Sequence, residues 1–182
     1  MHRSSTVRYT YADYLSTPED SARRYEIVAG ELFVTAAPRP RHQEVVTNLV
    51  GILSNLARDH GLGKVLSGPI TVRLHDELVV EPDVIFVGAH RLAIIDPERA
   101  VQGPPDLVVE VLSPSNRSYD RNLKRKHYLE NGVPELWIVD ADARTVEVWT
   151  PGAADPEEPR GVLEWCVGER RFEIALDEVF RG

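Results

Sequence analysis

The sequence predicts an α/β fold, a mixed β-sheet flanked by helices on both faces. Three observations predict it. Val45, Leu49, Ile52, Leu53 and Leu56 recur at helical spacing. Residues 106–112 (DLVVEVL) are almost continuously apolar, the mark of a strand covered on both faces. The pattern along the chain runs helix, several strands, helix, strand, an order that stacks helices against both sides of a sheet.

The elements follow in order. Thr10 opens a short helix, with Asp13 three residues on as an approximate capping box. Residues 25–28 and 32–35 flank Ala29-Gly30 and read as a hairpin. The apolar spacing sets an amphipathic helix over about 41–59, ended by Gly61 and Gly63. Strands follow at 64–66, 70–74, 78–80 and 83–87, with Pro82 interrupting the last two. Ser113-Pro114-Ser115 stops the strand at 106–112. A charged helix over about 118–131 ends at Gly132, with Pro134 beyond it. A buried strand at 136–140 turns through 140–144 into a strand at 145–149. The Pro-rich segment 150–161 (TPGAADPEEPRG) is a surface loop. A late strand at 162–167 and a short helix at 176–180 complete the chain.

At 182 residues the chain is sized for one domain, 1–182, with one sizeable core. Apolar residues make up 42% and charged residues 27%, a globular balance. No apolar run approaches the roughly 20 residues that span a bilayer, so no membrane association is expected. The first ten residues are polar and lack the apolar core of a signal peptide. The one cysteine, Cys166, has no partner for an internal disulfide or a cysteine zinc site. A cytoplasmic location is the expectation. The net charge of −8 disfavours coating nucleic acid through the overall field. A local basic patch, or the charge of a bound metal, is needed for any nucleic-acid chemistry. The zinc-protease His-Glu-x-x-His, the phosphate-binding Gly-rich loop, the dinucleotide fingerprint and the Gly-x-Ser-x-Gly elbow are all missing from the sequence.

Two carboxylates stand out by their neighbours. Asp83 sits in EPDVIFV and Glu110 in VVEVL, both within strands that otherwise read as core. An ionised carboxylate buried without a partner costs several kcal/mol, so a cation, a hydrogen-bond network or a metal must compensate. Each alone has a plain alternative: Glu110 paired with a Lys or Arg, Asp83 capping a bulge after Pro82. Together, on strands expected to be neighbours, they point to a shared metal site. The segment 117–127 (RSYDRNLKRKH) is the densest basic cluster of an acidic chain and directly follows the strand of Glu110. Asp120, Lys124 and Tyr128 share one helix face at i, i+4, i+8. Arg117, Arg121 and Arg125 are the candidate phosphate contacts. The alternative is a solvated face with an Asp120–Lys124 pair worth about 0.2–0.5 kcal/mol.

Six blocks in order resemble a known family: YEIVAGEL from Tyr25, PRPRHQ from Pro38, EPDV from Glu81, PDLVVEVLSPS from Pro105, Asp120 with Lys124 and Tyr128, and GVPELWIVD from Gly132. Over about 11–149 the chain is similar to the Uma-type putative endonucleases of the PD-(D/E)XK superfamily. The resemblance implies a restriction-endonuclease-like core, a metal-dependent nuclease using Mg²⁺ or Mn²⁺, a nucleic-acid substrate, expected to be DNA, and a homodimer. It implies that Asp83, Glu110 and the backbone carbonyl of Val111 bind metal and that Asp83, Glu110, Lys124 and Glu26 are catalytic, Glu26 having the alternative of a polar residue on the hairpin. Two residues after Glu110 the superfamily has a lysine and this chain has Leu112. Lys124, one helix later, is the candidate to reach back. His42 matches a family histidine at the start of the long helix: its ring either faces the site, as Asp120 and Tyr128 are expected to, or stands in water. His60, His75 and His90 lie near polar turns and are expected in solvent. Two further readings stay open. One is a nuclease-fold binding module of little or no activity. The other is a structural oligomer whose interface is the apolar strands near Trp137 and Trp149.

Overall fold

The computed structural model of the chain describes residues 7–18, 23–36, 38–113 and 119–182. In order its first elements are α1 (Tyr11–Tyr14), β1 (Arg23–Val28), β2 (Glu31–Ala36), α2 (Pro40–Asp59), β3 (Gly63–Ser67), β4 (Val72–His75), β5 (Leu78–Val80) and β6 (Val84–Gly88). A 3₁₀ segment, Ala89–Ile94, leads to β7 (Val101–Gln102) and β8 (Leu107–Val111). A π-helical segment, Tyr119–Lys124, runs into α3 (Arg125–Glu130). Then come β9 (Leu136–Asp140), β10 (Thr145–Trp149), β11 (Val162–Val167), β12 (Arg170–Ala175) and α4 (Leu176–Val179).

The expected mixed α/β class is found, with its strands divided between two five-stranded sheets and a hairpin. The central sheet is ordered β10-β9-β8-β6-β3, and only its β8–β9 pair is parallel. The second sheet is ordered β2-β1-β5-β4-β7. The chain passes from one to the other between β5 and β6, at Glu81-Pro82-Asp83, where proline has no N–H to continue a ladder.

Alternation along the central strands makes two cores. Val84, Phe86, Val109, Val111, Trp137 and Val139 face α2, α4 and the β11–β12 hairpin. Ile85, Val87, Val108, Leu112, Leu136 and Ile138 face the second sheet and Tyr128 of α3. α2 buries Val45, Val46, Leu49, Leu53 and Ala57 on one stripe and starts with Pro40, whose missing N–H costs nothing at the first helical position. The β1–β2 turn has Ala29 at φ 53° and Gly30 at φ 78°, the double left-handed turn of a two-residue hairpin.

Two elements differ from expectation. The expected helix at 118–131 becomes the π-helical segment followed by α3. β12 was not expected because Arg170, Arg171 and Glu173 mask the alternation of Phe172 and Ile174, which pack on the core. Trp137 and Trp149, near which the structural-oligomer reading set its interface, are 0% and 8% exposed within the chain itself.

Candidate active site

Six charged or histidine side chains are buried among the described residues, and five of them, Glu26, His42, Asp83, Glu110 and Lys124, line one cleft. Strand geometry explains the convergence. Glu110 lies between Val108 and Leu112 on the face turned to the second sheet, and Asp83 precedes Ile85 and Val87 of that same face one strand away. From across the cleft β1 sends Arg24 and Glu26, two residues apart, to one side. The first turn of α2 brings His42, and the end of the π-helical segment brings Lys124.

Asp83 is held on both oxygens. Nη1 of Arg24 donates to Oδ1 at 2.8 Å. Oδ2 lies 3.1 Å from Nε2 of His42 and accepts the N–H of Val111 at 2.9 Å. An ionised carboxylate only accepts, so Nε2 of His42 carries the hydrogen, and Nδ1 is buried with no hydrogen-bond partner among the described residues. Burial pushes the Asp83 carboxyl up, but the His42 bond and the Arg24 guanidinium outweigh it and hold it below its usual range.

Pro82 has a part in this. Extending the antiparallel register Val84↔Val109 sets Pro82 opposite Val111. Proline cannot donate, so the ladder offers the Val111 carbonyl no N–H there, while the Val111 N–H donates to Asp83.

Lys124 bridges two acids, with Nζ 2.7 Å from Oε1 of Glu26 and 2.6 Å from Oε1 of Glu110. The Tyr128 hydroxyl donates to the same Glu110 oxygen at 2.6 Å, and burial raises that phenol far above its ordinary range. Glu26 also accepts the N–H of Glu81 at 2.8 Å, and Glu81 accepts from the hydroxyl of Tyr14 at 2.7 Å. Burial raises the Glu81 carboxyl.

The structure thus brings Asp83, Glu110, Lys124, Glu26, His42, Tyr128 and Val111 together. Leu112 is buried in the core, and Lys124 supplies a lysine to Glu110 instead. Arg121 and Arg125 point elsewhere. Arg121 pairs with Glu147 at 2.9 Å, and the Arg125 guanidinium stacks on Trp149 at 3.9 Å from the ring centre. Arg117 lies outside the described residues, as does the side chain of Asp120. His60, His75 and His90 are exposed. Sequence reasoning missed Arg24 and Glu81. The signal for Arg24 was its spacing from Glu26, two charges on one face of a strand.

Four carboxylates line the cleft among the described residues, Glu26, Glu81, Asp83 and Glu110, against two permanent cations, Arg24 and Lys124. Two negative charges are left over, the charge of one divalent cation. The cavity is about 30 Å³, enough for a water-sized occupant. No three acidic, histidine or cysteine side chains among the described residues form a closed metal cage.

Comparison with known proteins gives the chain a family and a fold. The model of the Uma2 family, described as "Putative restriction endonuclease", matches residues 11–169. An uncharacterised protein of Synechocystis sp. (strain ATCC 27184 / PCC 6803 / Kazusa), sll1609, is 26% identical over 133 residues, 73% of each chain. The crystal structure of "a putative nuclease belonging to DUF820" from Anabaena variabilis ATCC 29413 superposes with a TM-score of 0.78 at 18% identity, covering 94% of this chain and 97% of that one. At that identity the likeness is one of fold.

Proposed function

This chain belongs to the Uma2 putative restriction endonuclease family, and from that premise we propose that it is a divalent-metal-dependent nuclease cutting phosphodiester bonds of DNA. The carrying observation is the formal excess of carboxylates over permanent cations around a small cleft lined by Asp83, Glu110 and Val111. In this reading Asp83, Glu110 and the Val111 carbonyl hold Mg²⁺ or Mn²⁺. The ion, when bound, polarises the scissile phosphate and acidifies a water. Lys124, fixed between Glu26 and Glu110, orients the attacking water and offsets charge developing on the phosphate. Glu26 positions Lys124, and the Tyr128 hydroxyl fixes the Glu110 carboxylate. His42 holds Asp83 in place without adding a permanent charge. The proposal takes 1–182 as one working unit, cytoplasmic and dimeric, the last of these open to light scattering.

A binding module without activity is the second reading, favoured by Leu112 and by the lack of a three-side-chain cage among the described residues. One assay separates them. Wild type and D83A are incubated with single- and double-stranded DNA and RNA in Mg²⁺ or Mn²⁺, with a chelator control. Cleavage by wild type alone, stopped by chelation, is expected. Metal-dependent cutting by D83A at the wild-type rate sinks the site. No cutting by either protein, with nucleic acid still bound, moves the function to the binding module.

A further inference from the structure

Arg24 is the most open charged group among the ion pairs of the cleft. Its side chain is 20% exposed, against 3% for Asp83 and for Lys124 and 7% for His42. Its place on Asp83 is also distinctive. A carboxylate oxygen accepts about two hydrogen bonds. Oδ2 has both, from the neutral N–H of Val111 and from His42, groups built into β8 and α2. Oδ1 is the oxygen left for a metal ion, and Arg24 holds it at 2.8 Å. Two cations on one buried oxygen repel strongly in so poorly screened a place. A metal ligated through Asp83 therefore competes with the guanidinium.

The displaced group has a use. A guanidinium presents a planar fork of N–H donors that matches a phosphate, and Arg24 lines the cleft while still partly exposed to solvent. We propose that Arg24 is the exchangeable cation of this site: it neutralises Asp83 when no metal is bound, and passes to a phosphate oxygen of the nucleic-acid backbone when a divalent ion takes Oδ1. Arg24 is then both the stabiliser of the empty acidic cleft and a substrate-binding residue. The inference rests on the metal-dependent nuclease reading.

The test is Mn²⁺ binding by titration calorimetry to wild type, R24Q and R24K. It is followed by binding of a labelled duplex oligodeoxynucleotide in Ca²⁺, read by fluorescence anisotropy. Losing a charge-assisted bond to Asp83 removes the competitor, so R24Q is expected to bind Mn²⁺ roughly tenfold tighter than wild type. It is expected to bind the duplex more weakly. R24K keeps the charge but loses the fork, so its Mn²⁺ affinity stays near wild type while duplex affinity falls. R24Q binding Mn²⁺ no tighter than wild type overturns the exchange and leaves the metal reading standing. If R24Q fails to fold, undiminished duplex affinity in R24K overturns it. Absence of Mn²⁺ binding to wild type overturns both readings together.

Discussion

Asp83 and Glu81 stand two residues apart and meet opposite electrostatic fates. Both are desolvated, which raises a carboxyl. Asp83 collects enough donors to end below its usual range, whereas Glu81, with the Tyr14 hydroxyl as its direct donor and Glu26 nearby, stays raised. Glu135, away from the cleft, shows the cost of such a raised acid without metal chemistry in the way. Burial pushes it up, although Nε1 of Trp137 donates to it at 2.6 Å. A group raised on folding contributes stability that is full at pH below its ordinary range and lost as pH rises through the folded value. E135Q keeps an acceptor for Trp137 and sheds the buried charge. It is expected to be more stable than wild type at neutral pH, with the gain vanishing below the ordinary glutamate value of about 4.3. Urea unfolding at both pH values checks this, and an equal gap at each would count against it.

The two faces of β6 divide the labour of the element. Ile85 and Val87 continue the face of Asp83, while Phe86 points into the opposite core and meets Trp165 of β11 edge-to-face at 5.0 Å. Trp165 is 1% exposed, so truncating it leaves a large void. W165A is expected to cost about 3–5 kcal/mol in denaturant unfolding. Because the loss falls on the far face, Mn²⁺ affinity of the folded variant should match wild type. A large change in metal affinity would show that the hairpin braces the site through the strand. The start of β3 carries a related constraint. Gly63 has φ of 151°, and a Cβ there would lie 2.1 Å from the Val87 carbonyl, so only glycine lets β3 close on β6.

At the scale of the whole molecule, an acidic chain concentrates four carboxylates in a small cleft and balances half of them internally. Folding therefore holds together charges that a divalent cation relieves, and ligation of the native state adds to stability by mass action. At a hundred times its Kd, Mn²⁺ is expected to add about 2.7 kcal/mol. For a chain of this length that is a rise in Tm of roughly 5–11 °C. Calorimetric scans with Mn²⁺ and with chelator measure it. The same rise in D83N as in wild type would place the ion elsewhere.

The sequence by itself determined the layered class, the long helix α2, the buried strands β6 and β8, and the hairpin at Ala29-Gly30. Each is written in local periodicity or turn chemistry, which survives without knowledge of neighbours. It also pointed to Asp83 and Glu110, because a carboxylate inside an apolar strand is anomalous wherever the strand ends up. The tertiary structure alone decided how the charges pair. Asp83 took Arg24, a residue 59 positions away, and Glu26 took Lys124, 98 positions away. Arg121 and Arg125 looked equally available for phosphate in the sequence, yet they meet Glu147 and Trp149 once β10 packs beside them. Charge complementarity acts through space, over separations that no local pattern records, so the partners of each ion became visible only when the strands had been laid side by side.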